Sequence, residues 1–372
     1  MKFSCERLLL LAAILTASRA VAAKSPVPLL EGLLIETLDG SVRISGYDLK
    51  TGIVTTVPAE VEKKGGIVLN ARLLGEIIRK MPGQYIDVAV SSSLMVTIKS
   101  EMSEFEILGS PPADYPDLPA VDAEQSIEIE EALLKKMISQ TNFAVSDNES
   151  RPIHTGALFE TGGGQLTIVA VDGYRLALRR EKLEGEKLPA CTFVVPGTAL
   201  GEVEKITADG DGMVSITLGA KHIMFSIGDT TLISRRLEGE FLNYKNSIPQ
   251  SGKYGLTAEK SELIQAVERV SLIISDKVKS PVRCVFGDGI LKMYTMSALG
   301  KASDECAIGG NGEELEIGFN NRYLLDALKA APADEIRIEL TSGTSPCVFV
   351  PVGGGDEFLY MILPVRLKAY EN

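Results

Sequence analysis

Five cysteines and two histidines set the range of chemistry open to this chain. Cys5, Cys191, Cys284, Cys306 and Cys347 are scattered, odd in number and never spaced C-x-x-C. That pattern is expected of buried free thiols in a reducing cytosol, not of a disulfide framework or a zinc site. With histidine only at 154 and 222, histidine-rich metal sites and most acid–base–nucleophile triads are disfavoured. No G-x-S-x-G, H-E-x-x-H, P-loop or G-x-G-x-x-G occurs. The triplets Gly162–Gly164 and Gly353–Gly355 stand in turn-like surroundings with no helix start after them. Asp48 and Asp172 read as turn residues rather than catalytic acids. The expectation is a protein that binds and does no chemistry, with no catalytic residue, metal or cofactor.

The elements that would position a binding surface come in three copies. Residues 71–90, ARLLGEIIRKMPGQYIDVAV, match 321–340, NRYLLDALKAAPADEIRIEL, without a gap: Arg72 with Arg322, Leu74 with Leu324, Glu76 with Asp326, Pro82 with Pro332, Ile86 with Ile336 and Val88 with Ile338. Each block predicts an amphipathic helix, a proline stop and an alternating strand. The offset of 250 is two units of 125, and a middle copy falls at Thr198–Ile206 followed by Val214–Leu218. Six helices are expected, near 6–24, 68–80, 130–141, 197–206, 260–272 and 320–330. The first helix of each unit is followed by a proline (Pro28, Pro152, Pro281) and an apolar segment. Ile168–Val171, Asp172-Gly173 and Tyr174–Leu178 read as a β-hairpin. Linker-like Pro/Gly/Asp stretches close the first two units at 109–119 and 238–249. The expected fold is α+β: three repeated domains, 1–121, 122–249 and 250–372, each with two helices packed on antiparallel sheet.

The composition, 45% hydrophobic and 24% charged over 372 residues, is that of a globular chain long enough for several cores. The net charge of −12 argues against nucleic acid unless charge is segregated. It is: the six helical windows hold 13 basic against 9 acidic residues, so everything outside them is more acidic than the whole. The N-terminus imitates a secretory signal, with Lys2 and Arg7, the run Leu8–Leu15, and Ala20-Val21-Ala22 before Ala23. Glu6 and Arg19 weaken that reading. The repeat opposes it, because residues 6–22 are then the first helix of the first domain, and their removal would expose its sheet. A secreted, repeat-built β-rich binding protein with a cleaved signal is the competing reading.

Several segments stand together in an informative order: Met1-Lys2-Phe3 with Glu6-Arg7, Val171-Asp172-Gly173-Tyr174-Arg175-Leu176-Ala177, Ile317-Gly318-Phe319-Asn320, and Leu363-Pro364-Val365-Arg366-Leu367. With the triple repeat they make the chain resemble, over essentially its whole length, the β subunit of bacterial DNA polymerase III, the sliding-clamp family. The resemblance implies two crescents closing head to tail into a homodimeric ring, with helices lining the bore and sheets outside. It implies a cytoplasmic processivity factor that encircles duplex DNA without sequence preference. Its implied partners are the replicative polymerase catalytic subunit, the clamp loader and repair proteins that carry a clamp-binding motif.

By family position, Lys24, Asn148 and Arg151 approach the duplex, followed by Arg72, Arg79, Lys80, Lys136 and Lys205. A few weak phosphate contacts of this kind suit sliding. The implied partner-peptide groove is walled by His154, Val171, Gly173, Tyr174, Arg175, Leu176, Leu242, Asn246, Ser247 and Pro346. The C-terminal segment Met361, Ile362, Leu363, Pro364, Val365 and Arg366 completes it. Apolar side chains there would take a partner's Leu or Phe while Arg175 or Arg366 meets polar groups. Leu242, Asn246, Ser247 and Pro346 depart from common family residues, and Lys368–Asn372 run past the usual end. The implied dimer interface sets Phe105, Ile107 and Leu108 against Leu272 and Ile273. Glu101, Glu104 and Glu106 stand where relatives are often basic; Lys301 would answer them, and Asp304 and Glu305 would not.

Overall fold

The computed structural model describes residues 1–183, 190–250, 252–275, 280–287, 289–311, 313–353 and 357–367. The Lys368–Asn372 extension and the last two residues of the Gly353–Gly355 triplet lie outside the described residues. The first third of the chain runs β1 (Lys2–Glu6), α1 (Arg7–Ala17), β2 (Gly32–Thr37), β3 (Ser41–Tyr47), β4 (Thr51–Pro58), β5 (Glu60–Lys63), β6 (Gly66–Asn70), α2 (Ala71–Lys80), β7 (Tyr85–Val90), β8 (Met95–Ser100) and β9 (Ser103–Leu108). The second runs β10 (Gln125–Glu130), α3 (Glu131–Ser139), β11 (Gly156–Gly162), β12 (Gln165–Val171), β13 (Arg175–Lys182), β14 (Cys191–Pro196), α4 (Gly197–Ile206), β15 (Met213–Leu218), β16 (His222–Ile227) and β17 (Thr230–Arg235). The third runs β18 (Tyr254–Glu259), α5 (Lys260–Ser271), β19 (Val282–Gly287), β20 (Ile290–Ser297), β21 (Gly300–Ala307), β22 (Gly309–Asn311), β23 (Leu315–Phe319), α6 (Asn321–Ala330), β24 (Glu335–Leu340), β25 (Cys347–Pro351) and β26 (Phe358–Ile362). All six helices fall within the windows expected of them.

Pairing repeats as faithfully as element order. In the first third β1-β7-β8-β9 and β6-β2-β3-β4 form antiparallel ladders, and β10-β15-β16-β17 with β14-β11-β12-β13 do so in the second. The third pairs β18-β24-β25-β26 and β23-β19-β20-β21. After the last strand of each third, the chain makes one further bridge to the same place: Ser110 to Val68, Leu237 to Val194 and Val365 to Gly318. Local chemistry shows the same repetition. Asn70 caps α2 by accepting from the Leu73 amide at 3.0 Å, and Asn320 caps α6 by accepting from Arg322 at 2.9 Å. A side-chain oxygen at this position satisfies an amide that the helix leaves open.

Contacts divide the chain into two compact units, Met1–Lys135 with Glu202–Arg236, and Lys136–Gly201 with Leu237–Asn372. Each unit holds one ladder of the second third fused edge to edge with a ladder of its neighbour. In the first unit β17 pairs with β4, giving the eight-stranded order β10-β15-β16-β17-β4-β3-β2-β6. In the second, β13 pairs with β26 in the nine-stranded order β14-β11-β12-β13-β26-β25-β24-β18-β22.

The segment that imitates a secretory signal is built into the first unit. Phe3 pairs with Val88 on one side and Val61 on the other. Leu10, Ala13, Ile14 and Ala17, one face at helical spacing, join Phe3, Leu33, Ile35, Ile44, Leu74 and Ile78 in a single core. α1 approaches β3 so closely at Gly46 that a β-carbon there would collide with the Ala17 carbonyl oxygen. The opposite face of α1 leaves Leu8 60% exposed.

The cysteines are all free, four of them buried. Burial pushes the Cys5 and Cys306 thiols up to about 11, far from the range in which a thiolate nucleophile is populated. Cys191 is half-buried beside the Thr161 hydroxyl. Among the described residues no group of His, Cys, Asp and Glu is placed to hold a metal ion. Asp48 serves its turn, its Oδ1 accepting from the amides of Lys50 and Thr51 at 2.8 and 2.7 Å. The two faces of α1 give a direct test of this packing. Ile14→Ala, at a fully buried position, is expected to lower unfolding free energy by about 2–5 kcal/mol in urea titration. Leu8→Ala should change it by no more than roughly 0.5 kcal/mol. Equal losses would mean that α1 docks by another face.

Candidate functional site

The seam between β13 and β26 lies at the middle of the nine-stranded sheet and pairs Arg175 with Ile362, Leu176 with Met361, Ala177 with Tyr360 and Leu178 with Leu359. Strand alternation sends these residues to opposite faces. Tyr360 goes to the helical face, where its hydroxyl donates to the Ala330 carbonyl at 3.2 Å and its ring meets Phe143 edge-on at 5.6 Å. Leu176, Leu178, Leu359 and Met361 go to the other. There they join Leu158, Val169, Val171, Val194 and Val348 in an apolar cluster on the face away from the helices. A solvent-side sheet face is normally polar, and this one is covered instead.

Its cover is the segment after β17. Leu237, Phe241, Tyr244 and Ile248 pack on the cluster. The Tyr244 hydroxyl donates to Glu160, and Lys245 lies 3.3 Å from the same carboxylate. His154 meets Phe241 edge-on at 5.6 Å. Desolvation, with Arg151 nearby, holds the His154 imidazole below its ordinary pKa.

These facts sort the expected groove residues. Tyr174 is 63% exposed, and Gly173, Leu242, Asn246, Val365 and Arg366 are also exposed. His154, Ser247, Pro346, Leu363 and Pro364 are half-buried. Val171, Leu176 and Met361 are floor residues, fully covered in this state. Two expectations need correction. Ile362 falls on the helical face by alternation, and Arg175 points there too. The hairpin turn is also shifted by one residue from the expected Asp172-Gly173: β13 begins at Arg175, and Gly173, at φ +92°, and Tyr174 form the turn. Asp172 organises it, its Oδ1 accepting from the amides of Tyr174 at 2.8 Å and Arg175 at 3.0 Å.

Arg175 is committed within the protein. Its Nε donates to Asp172 Oδ2 at 2.9 Å, Nη1 to Asp326 Oδ2 at 2.6 Å and Nη2 to the Phe143 carbonyl at 2.6 Å. The guanidinium lies 4.5 Å from the Tyr323 ring centroid and 5.4 Å from that of Phe143. Its side chain is 8% exposed, so it ties the hairpin to α6 and has no fork to offer a partner. Phe143, Tyr323, Asp326, Phe241 and Tyr244 belong to this site and were missed from sequence. Their contacts join different thirds of the chain or a linker, and no periodicity marks them.

The expected DNA-facing residues are exposed throughout: Lys24, Arg72, Arg79, Lys80, Lys136, Asn148, Arg151 and Lys205. Arg72 pairs with Glu76 at 3.2 Å and Lys205 with Glu202 at 2.8 Å, and Arg19 reaches Glu202 at 3.4 Å. Asn148 spends its side-chain oxygen on the Ser150 amide. Of the expected interface residues, Phe105, Ile107 and Leu108 lie on β9, an outer strand of its sheet. Leu108 is 72% and Leu272 81% exposed, with Ile273 half-buried after α5.

Arg175→Ala should therefore act on the fold. It removes the guanidinium from the Asp172 and Asp326 carboxylates and the Phe143 carbonyl and is expected to cost about 3–5 kcal/mol of unfolding free energy. Tyr174→Ala should be nearly neutral in the same urea titration. Loss of stability in both, or in neither, would contradict these environments.

Comparison with known proteins agrees with the repeat. Family models of the DNA polymerase III beta subunit match in order: the N-terminal domain over residues 1–119, the central domain over 128–243 and the C-terminal domain over 245–366. The beta sliding clamp of Halalkalibacterium halodurans is 34% identical over 363 residues, covering 94% of this chain and 95% of that one. The Staphylococcus aureus beta sliding clamp is 30% identical over 376 residues, covering 98% and 99%. The crystal structure of the DNA polymerase sliding clamp from Bacillus subtilis superposes with a TM-score of 0.94 at 31% identity, covering 99% of this chain and 100% of that one. These likenesses displace the secreted binding-protein reading. The chain belongs to the DNA polymerase III beta subunit family, the beta sliding clamps.

Proposed function

We propose that two copies of this chain close head to tail into a ring around duplex DNA and hold the replicative polymerase on it, with no catalytic site of their own. The clamp loader and motif-bearing repair proteins would use the same groove at the β13–β26 seam, and the work would be done in the cytoplasm. Among the described residues no helix is long and apolar enough to cross a membrane. We place the domain limits at 1–121, 122–249 and 250–372.

The observation that carries the ring is a count of sheet edges. β17 meets β4 and β26 meets β13, each joining the last strand of one third to the third strand of the other ladder in its neighbour. By the same rule β9 and β21 should join, and both are left as edges of their sheets. Unpaired edges seek strands, and a head-to-tail contact that closes gives a ring. The register carries over as well. Thr51, first in β4, faces Ser234, fifth in β17, and Arg175, first in β13, faces Ile362, fifth in β26. Gly300 of one copy would then face Ile107 of the other, Lys301 would face Glu106 and Ala302 would face Phe105. Leu108, Leu272 and Ile273 supply apolar surface beside this ladder.

A solution mass of twice 40.0 kDa is expected at micromolar concentration; a monomer throughout would overturn the ring. Glu106→Lys or Lys301→Glu alone sets like charges opposite each other and should weaken the dimer by about 1 kcal/mol per interface. The double exchange should recover most of that loss, and failure to recover would reject the register. For the bore, Lys24→Ala with Arg151→Ala should shorten retention on closed circular DNA. The double variant removes two cations from each of two copies and should also reduce the slope of log affinity against log salt by up to roughly 4, with the dimer mass unchanged. An unaltered salt slope would remove both residues from the DNA surface.

A further inference from the structure

We propose that Asp326 is a positioning residue for the partner groove, acting through Arg175 and Asp172 on the turn that presents Tyr174. The proposal rests on the groove reading above and adds to it a residue on the far face of the sheet. Asp326 lies on α6 in the last third of the chain, and its carboxylate takes Arg175 Nη1 at 2.6 Å from the hairpin of the middle third. Arg322 approaches the same oxygen only to 3.9 Å, so the hydrogen bond goes to Arg175. The next link is Arg175 Nε on Asp172 Oδ2, which fixes the plane of that carboxylate. Its other oxygen holds the amides of Tyr174 and Arg175 and so shapes the turn. Tyr174 stacks on Tyr323 at 6.4 Å between centroids, and Tyr323 precedes Asp326 by three residues on α6, which places both on one side of the helix. The Tyr174 carbonyl accepts from the Leu363 amide at 2.8 Å, so the turn also anchors the segment that begins the other lip.

The first third of the chain supplies an internal control. Its equivalent hairpin has Asp48 in the place of Asp172 and Thr51 in the place of Arg175, and Asp48 accepts from the Lys50 and Thr51 amides in the same way. The turn therefore forms without an arginine. What Arg175 and Asp326 add is a tether between the turn and α6, which holds an exposed aromatic ring where a rigid anchor is useful to a peptide site.

The test is a double-mutant cycle on the full-length chain. Its probe is a fluorescein-labelled short peptide bearing Gln and Leu/Phe, followed by fluorescence polarisation, with solution mass and thermal midpoint recorded for each variant. Tyr174→Ala is expected to weaken peptide binding about tenfold or more, as a central aromatic anchor does. Asp326→Ala should weaken it several-fold in the parent background but by less than twofold when Tyr174 is already alanine, because coupled positions are not additive. Asp326→Asn, which keeps size and one acceptor oxygen, should fall between parent and alanine, and it serves as the reporter in the same cycle should the alanine variant not fold. Unchanged affinity in the Asp326 variants, or an equal loss in both backgrounds, overturns the positioning role while leaving the groove intact. A parent chain that does not bind the peptide overturns the groove reading itself.

Discussion

Antiparallel pairing between the edge strands of neighbouring repeats is the interaction on which the rest of this structure depends. Each repeat offers two four-stranded ladders and therefore bare edges whose amides and carbonyls must find partners or water. The β17–β4 and β13–β26 joins satisfy two pairs of these edges within the chain. Backbone ladders of this kind are indifferent to side-chain identity, which explains how one joint can be used at Thr51 and again at Arg175 with quite different residues. The same indifference makes β9 and β21 open to a second copy. In the proposed ring, specificity would then come from what flanks the ladder, namely the exposed leucines and the placement of Glu106 and Lys301.

Joining edges creates a second demand, because the fused sheet has two faces and the helices cover only one. At the β13–β26 seam the uncovered face carries Leu176, Leu178, Leu359 and Met361. The segment after β17 lies over that surface, latched by Tyr244 on Glu160, so that Leu176 and Met361 are buried while Tyr174 and Leu242 stay exposed. In the proposed groove, this apolar surface, with exposed Tyr174 and Leu242 beside it, would suit the apolar anchor side chains of a short peptide. On the opposite face of the same seam, Arg175 is closed in by Asp172, Asp326 and two aromatic rings. One pair of strands thus separates a rigid polar clasp from an adaptable apolar shelf.

Charge obeys a similar division. A chain of net charge −12 would be repelled by phosphate if its charges were evenly spread, yet basic residues gather on helices whose exposed sides carry Arg72, Arg79, Lys80, Lys136 and Lys205. Several of these are partly neutralised by carboxylates one turn away, as in Arg72 with Glu76 and Lys205 with Glu202. Surface pairs of this sort contribute little to stability. Their effect is to temper the cationic surface, which in the proposed ring would favour loose, salt-sensitive contact over tight binding.

The six helices and the proline stops were legible in the amino-acid sequence, because each depends on spacing within some twenty residues, and the threefold order of elements was legible in the repeat at an offset of 250. The place of α1 in the first domain was legible too, though only by weighing the repeat against a signal-like composition that favoured another reading. The turn at Asp172 was read one residue early, since an Asp-Gly pair fits more than one hairpin register and the backbone resolves it through the side-chain oxygen of Asp172. Ile362 and Arg175 were placed in the groove by family position, whereas strand alternation and the Asp326 carboxylate turn them to the helical face. Tyr323 and Tyr244 carried no signal, and Asp326 was marked only as the repeat partner of Glu76: it meets Arg175 across 151 positions of chain. Local periodicity determines which elements form and which side of each is apolar. Which edges meet, and therefore which faces are covered, is decided only when strands distant in sequence pair.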